Sequence, residues 1–196
     1  MIEPVPVKLN LNNLRYIFPK ISHLKPFIFF GTLLGYEREK NIITNDDDID
    51  IYINKDNFKD LLKCLSTTNF DINIMPKKRW YQFLRKPLII QATRIQDGIK
   101  TYVDFYLYEE KKDYIIEKFN FKGTWKNSNS HLHIPKKILF PLKDVMFQNI
   151  AVKIPSDSKA VCELLYGPSW TTPIRKELQY HAKVQNNQPV ITIENS

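Results

Sequence analysis

The sequence predicts an α+β domain, a mixed β-sheet flanked by helices. Three observations lead there. Segments with apolar residues at helical spacing and segments alternating with period two share one chain. Neither an internal repeat nor a linker divides it. With 196 residues and 43% hydrophobic content, it can bury a substantial core. Residues 1–180 therefore read as a single domain, and 181–196 as a polar C-terminal tail.

The elements follow in order. Leu11, Leu14, Ile17 and Phe18 give residues 7–19 a helical spacing, and Pro19 is expected to end or kink that helix. Phe27-Ile28-Phe29-Phe30 reads as a short buried strand feeding a turn at Gly31. Residues 32–40 read as a short helix closed by Asn41. The run Asp48-Ile49-Asp50-Ile51-Tyr52-Ile53 alternates with period two and predicts a strand. Asp56 is expected to N-cap a helix whose apolar stripe is Phe58, Leu61, Leu62 and Leu65. Strands are predicted over 80–85, 88–94 and 102–108. Lys111-Lys112-Asp113 marks a turn, and residues 121–135, with their Asn, Ser and Gly, read as loop. A strand over 147–154 precedes a helix capped by Ser156 or Asp157, running to Tyr166 and ended by Gly167. The chain is polar after Glu177, and its last residues are expected to be loosely held.

Twenty-nine Lys and Arg against 21 Asp and Glu give a net charge of +8. That charge suits an acidic partner such as a nucleotide, a phosphorylated polymer or an anionic membrane surface, so a peripheral membrane contact is compatible with it. The alternative is a solvated lysine-rich surface. No Arg-rich run or aromatic–basic signature is present, so no nucleic-acid partner is expected. Cys64 and Cys162 lie in apolar helical patterns and read as buried small hydrophobes, which excludes a disulfide framework or a cysteine zinc site. The N-terminus lacks the basic and apolar regions of a signal peptide. No apolar run approaches the roughly 18 residues of a membrane span, so the expected location is the cytoplasm.

The chemistry is concentrated in Gly31-Thr32-Leu33-Leu34-Gly35 and in Asp46-Asp47-Asp48-Ile49-Asp50. Clustered carboxylates repel one another unless a cation sits among them. On a strand, Asp48 and Asp50 project from one face, and hard oxygen ligands suit Mg²⁺ or Mn²⁺. Asp104 interrupts an apolar and aromatic strand, where a carboxylate is expensive without a partner. A glycine turn lets backbone N–H groups approach a phosphate. The ordered combination describes a nucleotidyltransferase-type palm, in which carboxylates bridge two metals about 3.5–4 Å apart. Asp48 and Asp50 are the candidate metal ligands. Asp104 is the third carboxylate, as ligand or as general base for an acceptor hydroxyl. Gly31 and Thr32 are candidates to hold the donor phosphates.

The stretch from Gly31 to Asp50 resembles the signature of the LicD family, which includes bacterial phosphocholine transferases and fukutin-type ribitol-phosphate transferases. The match is carried by Gly31-Thr32-Leu33-Leu34-Gly35-Tyr36 with Arg38, followed by Asp46, Asp48 and Asp50. Thr44 and Asn45 replace the family's usual Pro and aromatic pair, and Asn41 stands where Gly is common. Val103-Asp104-Phe105 resembles its later Asp strand, and Phe140-Pro141-Leu142, Phe147-Gln148-Asn149-Ile150, Ile154-Pro155 and Tyr166-Gly167-Pro168-Ser169-Trp170 its C-terminal markers. The resemblance implies a nucleotidyltransferase fold and transfer of a phosphorylated alcohol, such as choline or ribitol phosphate, from a CDP-activated donor. The acceptor is a sugar hydroxyl of a glycan or lipid-linked glycan, and CMP leaves.

Other readings compete at several positions. Arg38 suits a phosphate or diphosphate contact through its planar fork, or is a surface arginine paired with Glu37 or Glu39. Asp46 is a further metal ligand or a loop cap. Asp47 is expected to point away from Asp48 and Asp50. An EF-hand fails, because its sixth and twelfth positions would be Ile51 and Asn57. His131 and His133 read as an exposed loop pair. Two other functions remain open: an NTP-dependent nucleotidyltransferase acting on a small molecule or RNA, and a non-catalytic nucleotide- or glycan-binding protein.

Overall fold

The computed structural model describes residues 6–44, 46–75, 88–118 and 131–173. The strand expected over 80–85, residues 121–130 of the expected loop and the C-terminal tail lie outside the described residues. The elements are α1 (Val7–Ile21), β1 (Phe27–Ile28), α2 (Phe30–Glu39), β2 (Asp48–Asn54), α3 (Phe58–Leu65), β3 (Asp71–Met75), β4 (Ile89–Gln96), β5 (Ile99–Glu110), β6 (Tyr114–Lys118), β7 (His131–Pro135), α4 (Lys136–Leu139), β8 (Lys143–Phe147), β9 (Ile150–Ile154) and α5 (Ser158–Tyr166).

Seven strands form one sheet with the path β1-β2-β5-β4-β3, and β6 and β7 extend it from β5. Among the described residues only β2 and β5 pair in parallel; the other pairs are antiparallel, so the sheet is mixed as expected. The partner of β5 changes along its length: Tyr106 still pairs with β4, and Tyr108 pairs with β6. β8 and β9 form a separate hairpin.

Period two sorts the central strands into two faces. Ile49, Ile51 and Ile53 lie beside Val103, Phe105 and Leu107, all at most 4% exposed. Asn13 of α1 donates to Thr101, which shares that face. The opposite face carries Asp48, Asp50 and Tyr52 beside Tyr102, Asp104 and Tyr106. There the aromatic run of β1 and α2 fills the core: Phe29 stacks on Tyr52 with centroids 3.8 Å apart, and Phe30 meets Tyr106 edge-on at 4.8 Å. Removing a buried side chain such as Ile51 by truncation to Ala costs about 2–5 kcal/mol.

Several local expectations are corrected. α1 continues through Pro19 to Ile21. The proline forfeits one bond close to the helix end, where few turns remain to lose, and the Ser22 hydroxyl donates to the Pro19 carbonyl at 3.0 Å. α2 begins at Phe30, so Gly31 lies in the first helical turn and not in a turn preceding it, and Thr32 is helical as expected. Asp56 does not cap α3: Asn57 occupies its N-cap position without a side-chain bond, and Asn54 caps the 3-10 turn Lys55–Asn57 before it by accepting from the Asp56 N–H. Residues 131–135 form β7, because Leu132 and Ile134 alternate into the core; His131 and His133 are therefore on a strand and not in a loop. The segment 147–154 belongs to a hairpin, since Gln148 and Asn149 both have positive φ (48° and 61°), as a two-residue type I′ turn requires. α5 is capped by Asp157, whose side chain accepts from Ala160 N–H, and it ends at Gly167 (φ 83°), as expected.

Candidate active site

The site grows out of an uncapped helix. Phe29 occupies the N-cap position of α2 and offers no side-chain bond to the first-turn N–H groups. The chain enters the helix through Phe30 in the left-handed region (φ 39°), a conformation that costs a bulky residue about 1–3 kcal/mol. The missing cap comes from β2. The Asp50 carboxylate accepts the Gly31 N–H at 2.8 Å, and the positive end of the helix favours its charge. The Asp50 backbone is held as well, its N–H by the Thr32 hydroxyl at 2.8 Å and its carbonyl by the Phe29 N–H at 3.0 Å. Gly31 and Thr32, expected at the donor phosphates, thus both hold Asp50 in this structure. Thr32 is buried.

Both glycines of the signature permit close approach. A Cβ on Gly31 would lie 2.8 Å from an Asp46 carboxylate oxygen and 3.2 Å from one of Asp50. A Cβ on Gly35 would lie 2.5 Å from the Asn41 carbonyl and 3.1 Å from the Ile43 nitrogen. Gly35 lets the loop after α2 fold back along the helix. Gly31 leaves room where that loop delivers Asp46.

Asp50 and Asp104 are direct register partners on the parallel strands β2 and β5, at 5% and 8% exposure. Asp48 projects from the same face two residues earlier. The carboxylates of Asp46, Asp47 and Asp48 also converge, each offering an oxygen within 4.8 Å of the others. Asp47 therefore does not point away from Asp48, because the loop leading into β2 is not yet extended and does not obey strand alternation.

Burial pushes the Asp50 carboxyl well above the usual carboxylate range, and Asp48, Asp46 and Asp104 add to this while the Gly31 N–H opposes it. Asp104 is raised to about 6, first by burial; a hydrogen bond from the Gln91 side chain opposes this and Asp47 adds to it. Gln91 sits opposite Asp104 on β4, a neighbour that no motif in the sequence singled out. The Asp104 Oδ1 atom is buried with no hydrogen-bond partner among the described residues. Negative oxygens brought together with one left unsatisfied fit a hard divalent cation such as Mg²⁺ or Mn²⁺.

Arg38 is not a surface arginine: its side chain is 6% exposed. Its Nη2 lies 3.4 Å from Glu39, and its Nε is buried without a partner among the described residues. Glu37 turns to α5, accepting from the Ser158 hydroxyl. Cys162 is buried as expected, whereas Cys64 is half-buried with its sulfur 3.9 Å from His23 Nε2. The His133 ring stacks on Tyr114. Tyr166 and Trp170 pack against the core.

Among solved structures, a crystal structure of the lincosamide antibiotic adenylyltransferase LnuA with lincomycin bound is similar at a TM-score of 0.47 and 13% identity, over 90% of this chain and 96% of that chain. No curated protein matches the sequence. The family described as LicD/FKTN/FKRP, nucleotidyltransferase domain, matches residues 23–157, which include Gly31, Thr32, Arg38 and every carboxylate of the site. With well over half of its length matched, the chain belongs to the LicD/FKTN/FKRP family.

Proposed function

We propose that this chain is a metal-dependent transferase that moves a phosphorylated alcohol from a CDP-activated donor to a sugar hydroxyl of a glycan or lipid-linked glycan. Membership in a transferase family supports the reaction class. The observation that carries the reading is the in-register pair Asp50–Asp104, with Asp48 on the same face and the first turn of α2 gripping Asp50.

Asp48 and Asp50 would hold Mg²⁺ or Mn²⁺, with Asp104 as the third carboxylate, a ligand or the general base, and Asp46 as a further ligand. A bound divalent ion supplies charge neutralisation at the transferring phosphoryl group and acidifies a bound hydroxyl. The rest of the chemistry is positioning. The acceptor oxygen forms its bond to phosphorus as the bond to CMP breaks, and Asp104 is suited to receive the hydroxyl proton. The planar guanidinium of Arg38 suits the donor diphosphate. Gly31 and Thr32 serve the donor phosphates by fixing Asp50.

The test is a thermal-shift panel of CDP-choline, CDP-ribitol, CDP-glycerol and CTP, with and without Mg²⁺, followed by assay of CMP release. A CDP-alcohol that binds only the folded state stabilises it by about 2.7 kcal/mol at a hundredfold excess over its Kd. Asp48→Asn and Asp50→Asn are expected to abolish CMP release while the protein stays folded. CMP release unchanged in both variants overturns the assignment, and turnover of CTP without any CDP-alcohol reassigns the chain to NTP-dependent nucleotidyl transfer.

A further inference from the structure

Helix α1 lies before the matched family domain, yet it reaches into the site. Asn10 is fully buried on the face of α1 that also carries Leu14 and Ile17. Its Nδ2 donates to the Asp46 backbone carbonyl at 2.9 Å, across 36 residues of sequence. Its Oδ1 is buried with no partner among the described residues. A half-satisfied buried amide is a poor choice for stability, because an unpaired buried acceptor costs about 1–3 kcal/mol. A leucine would remove that cost, although it would also take the amide donor from the Asp46 carbonyl. The side-chain hydrogen bond that Asn10 makes among the described residues lands on the loop that delivers Asp46 to Gly31, Asp47 and Asp48.

The helix is also fixed independently of that loop. Asn13 donates to the Thr101 hydroxyl at 2.9 Å, and Gln96 donates to both the Asn13 side chain and the Leu9 carbonyl, at 2.9 and 3.2 Å. α1 is thereby tied to the β4–β5 hairpin, and Asn10 extends that rigid body to the acidic loop.

We infer that Asn10 is a positioning residue for the metal site, holding the Asp46 carbonyl so that the Asp46 carboxylate stays over Gly31 and within ligand distance of Asp48. This rests on the reading of the carboxylates as metal ligands. Partners that orient a ligand are typically worth about 10–100-fold in metal affinity.

The experiment measures Mn²⁺ binding to the full chain by loss of the free-ion EPR signal. It compares wild type with Asn10→Leu, with Asn10→Ala in case leucine does not fold, and with Asn13→Ala. The Asn10 variants are expected to bind Mn²⁺ about tenfold more weakly. Asn10→Leu is expected to keep or raise the melting temperature. Asn13→Ala is expected to melt earlier and bind Mn²⁺ as wild type does. In a CMP-release assay, Asn10→Leu should raise the Mg²⁺ concentration for half-maximal rate about tenfold and recover kcat at saturating Mg²⁺. Wild-type Mn²⁺ affinity in the Asn10 variants, or an equal loss in Asn13→Ala, overturns this inference and leaves the metal reading standing. Absence of Mn²⁺ binding by the wild type overturns both.

Discussion

The hydroxyl of Thr32 accepts the backbone N–H of Asp50 at 2.8 Å, and both residues are buried. A helix residue thus fixes the main chain of the strand that carries the carboxylates. Thr32→Val keeps the shape of the side chain and removes the acceptor. An unpaired buried N–H costs about 1–3 kcal/mol. We expect that loss in urea denaturation, with CMP release falling further than the loss of folded protein explains, because Asp50 is no longer aligned. Thr32→Ser keeps the acceptor and should restore most of the activity. Full activity in Thr32→Val together with a loss in Thr32→Ser would show that the methyl group, and not the hydrogen bond, matters.

Gly31→Ala separates stability from activity at the neighbouring position. Gly31 is not in a left-handed conformation, so alanine suits the helical backbone, where it is favoured over glycine by roughly 0.5–1 kcal/mol. The new methyl would meet the ends of two carboxylates, Asp46 at 2.8 Å and Asp50 at 3.2 Å. Side-chain ends can swing aside, so the fold survives, whereas the ligand geometry does not. Expected is an unchanged or slightly higher melting temperature together with weakened Mn²⁺ binding and at least a tenfold drop in turnover, roughly the loss of about 1.4 kcal/mol. A fully active variant would show that Asp46 need not sit over Gly31.

The site also dictates a pH dependence in the metal-free protein. Asp104 titrates near 6 when folded and near the ordinary value of roughly 4 when unfolded. Between those values the native state holds more protons than the unfolded chain, so stability falls as pH rises. The contribution is fully present below about pH 4 and is lost as pH passes through about 6, a change on the order of 3 kcal/mol. Asp104→Asn removes it. In EDTA, the variant should match wild type near pH 4 and exceed it at pH 8 by up to that amount, read from urea midpoints. Saturating Mg²⁺ should close the gap at pH 8 by stabilising wild type. Parallel pH profiles for the two proteins would rule out a buried, ionising Asp104.

The sequence made these carboxylates visible because both strands alternate with period two: β2 sets Asp48 and Asp50 against Ile49 and Ile51, and β5 sets Asp104, between Tyr102 and Tyr106, against Val103 and Phe105. Period two then predicts the shared face of Asp48 and Asp50, although it cannot predict that Asp104 sits in register with Asp50. That match depends on the pairing of two strands whose partner residues lie 54 positions apart. The start of α2 was misread for a physical reason: its cap is a carboxylate from another element, and local sequence carries no trace of it. β7 was hidden by polar and proline residues around a short apolar alternation. Asn10 and Gln91 were invisible, since an asparagine in a helix and a glutamine in a strand mean nothing until the tertiary fold shows what they touch.

Arg38 is where a buried charge and a function can be told apart. Its guanidinium is withdrawn from solvent, touches Glu39 only at 3.4 Å, and leaves Nε unpaired among the described residues. The neighbouring Cys162 thiol is pushed up to about 12, chiefly by burial, with Glu37 raising and Arg38 lowering it. Burying a charge carries a desolvation cost that a weak contact to a partly exposed carboxylate does not offset, and Glu39 can be solvated without it. Arg38→Met should therefore keep or raise the melting temperature. If the guanidinium grips the donor diphosphate, the same variant loses donor affinity, visible as a raised KM for the CDP-alcohol with the Mg²⁺ dependence unchanged. Arg38→Lys keeps the charge but not the fork and should fall between the two. A variant with wild-type KM and a lowered melting temperature would assign Arg38 to the packing of α2 against α5 instead.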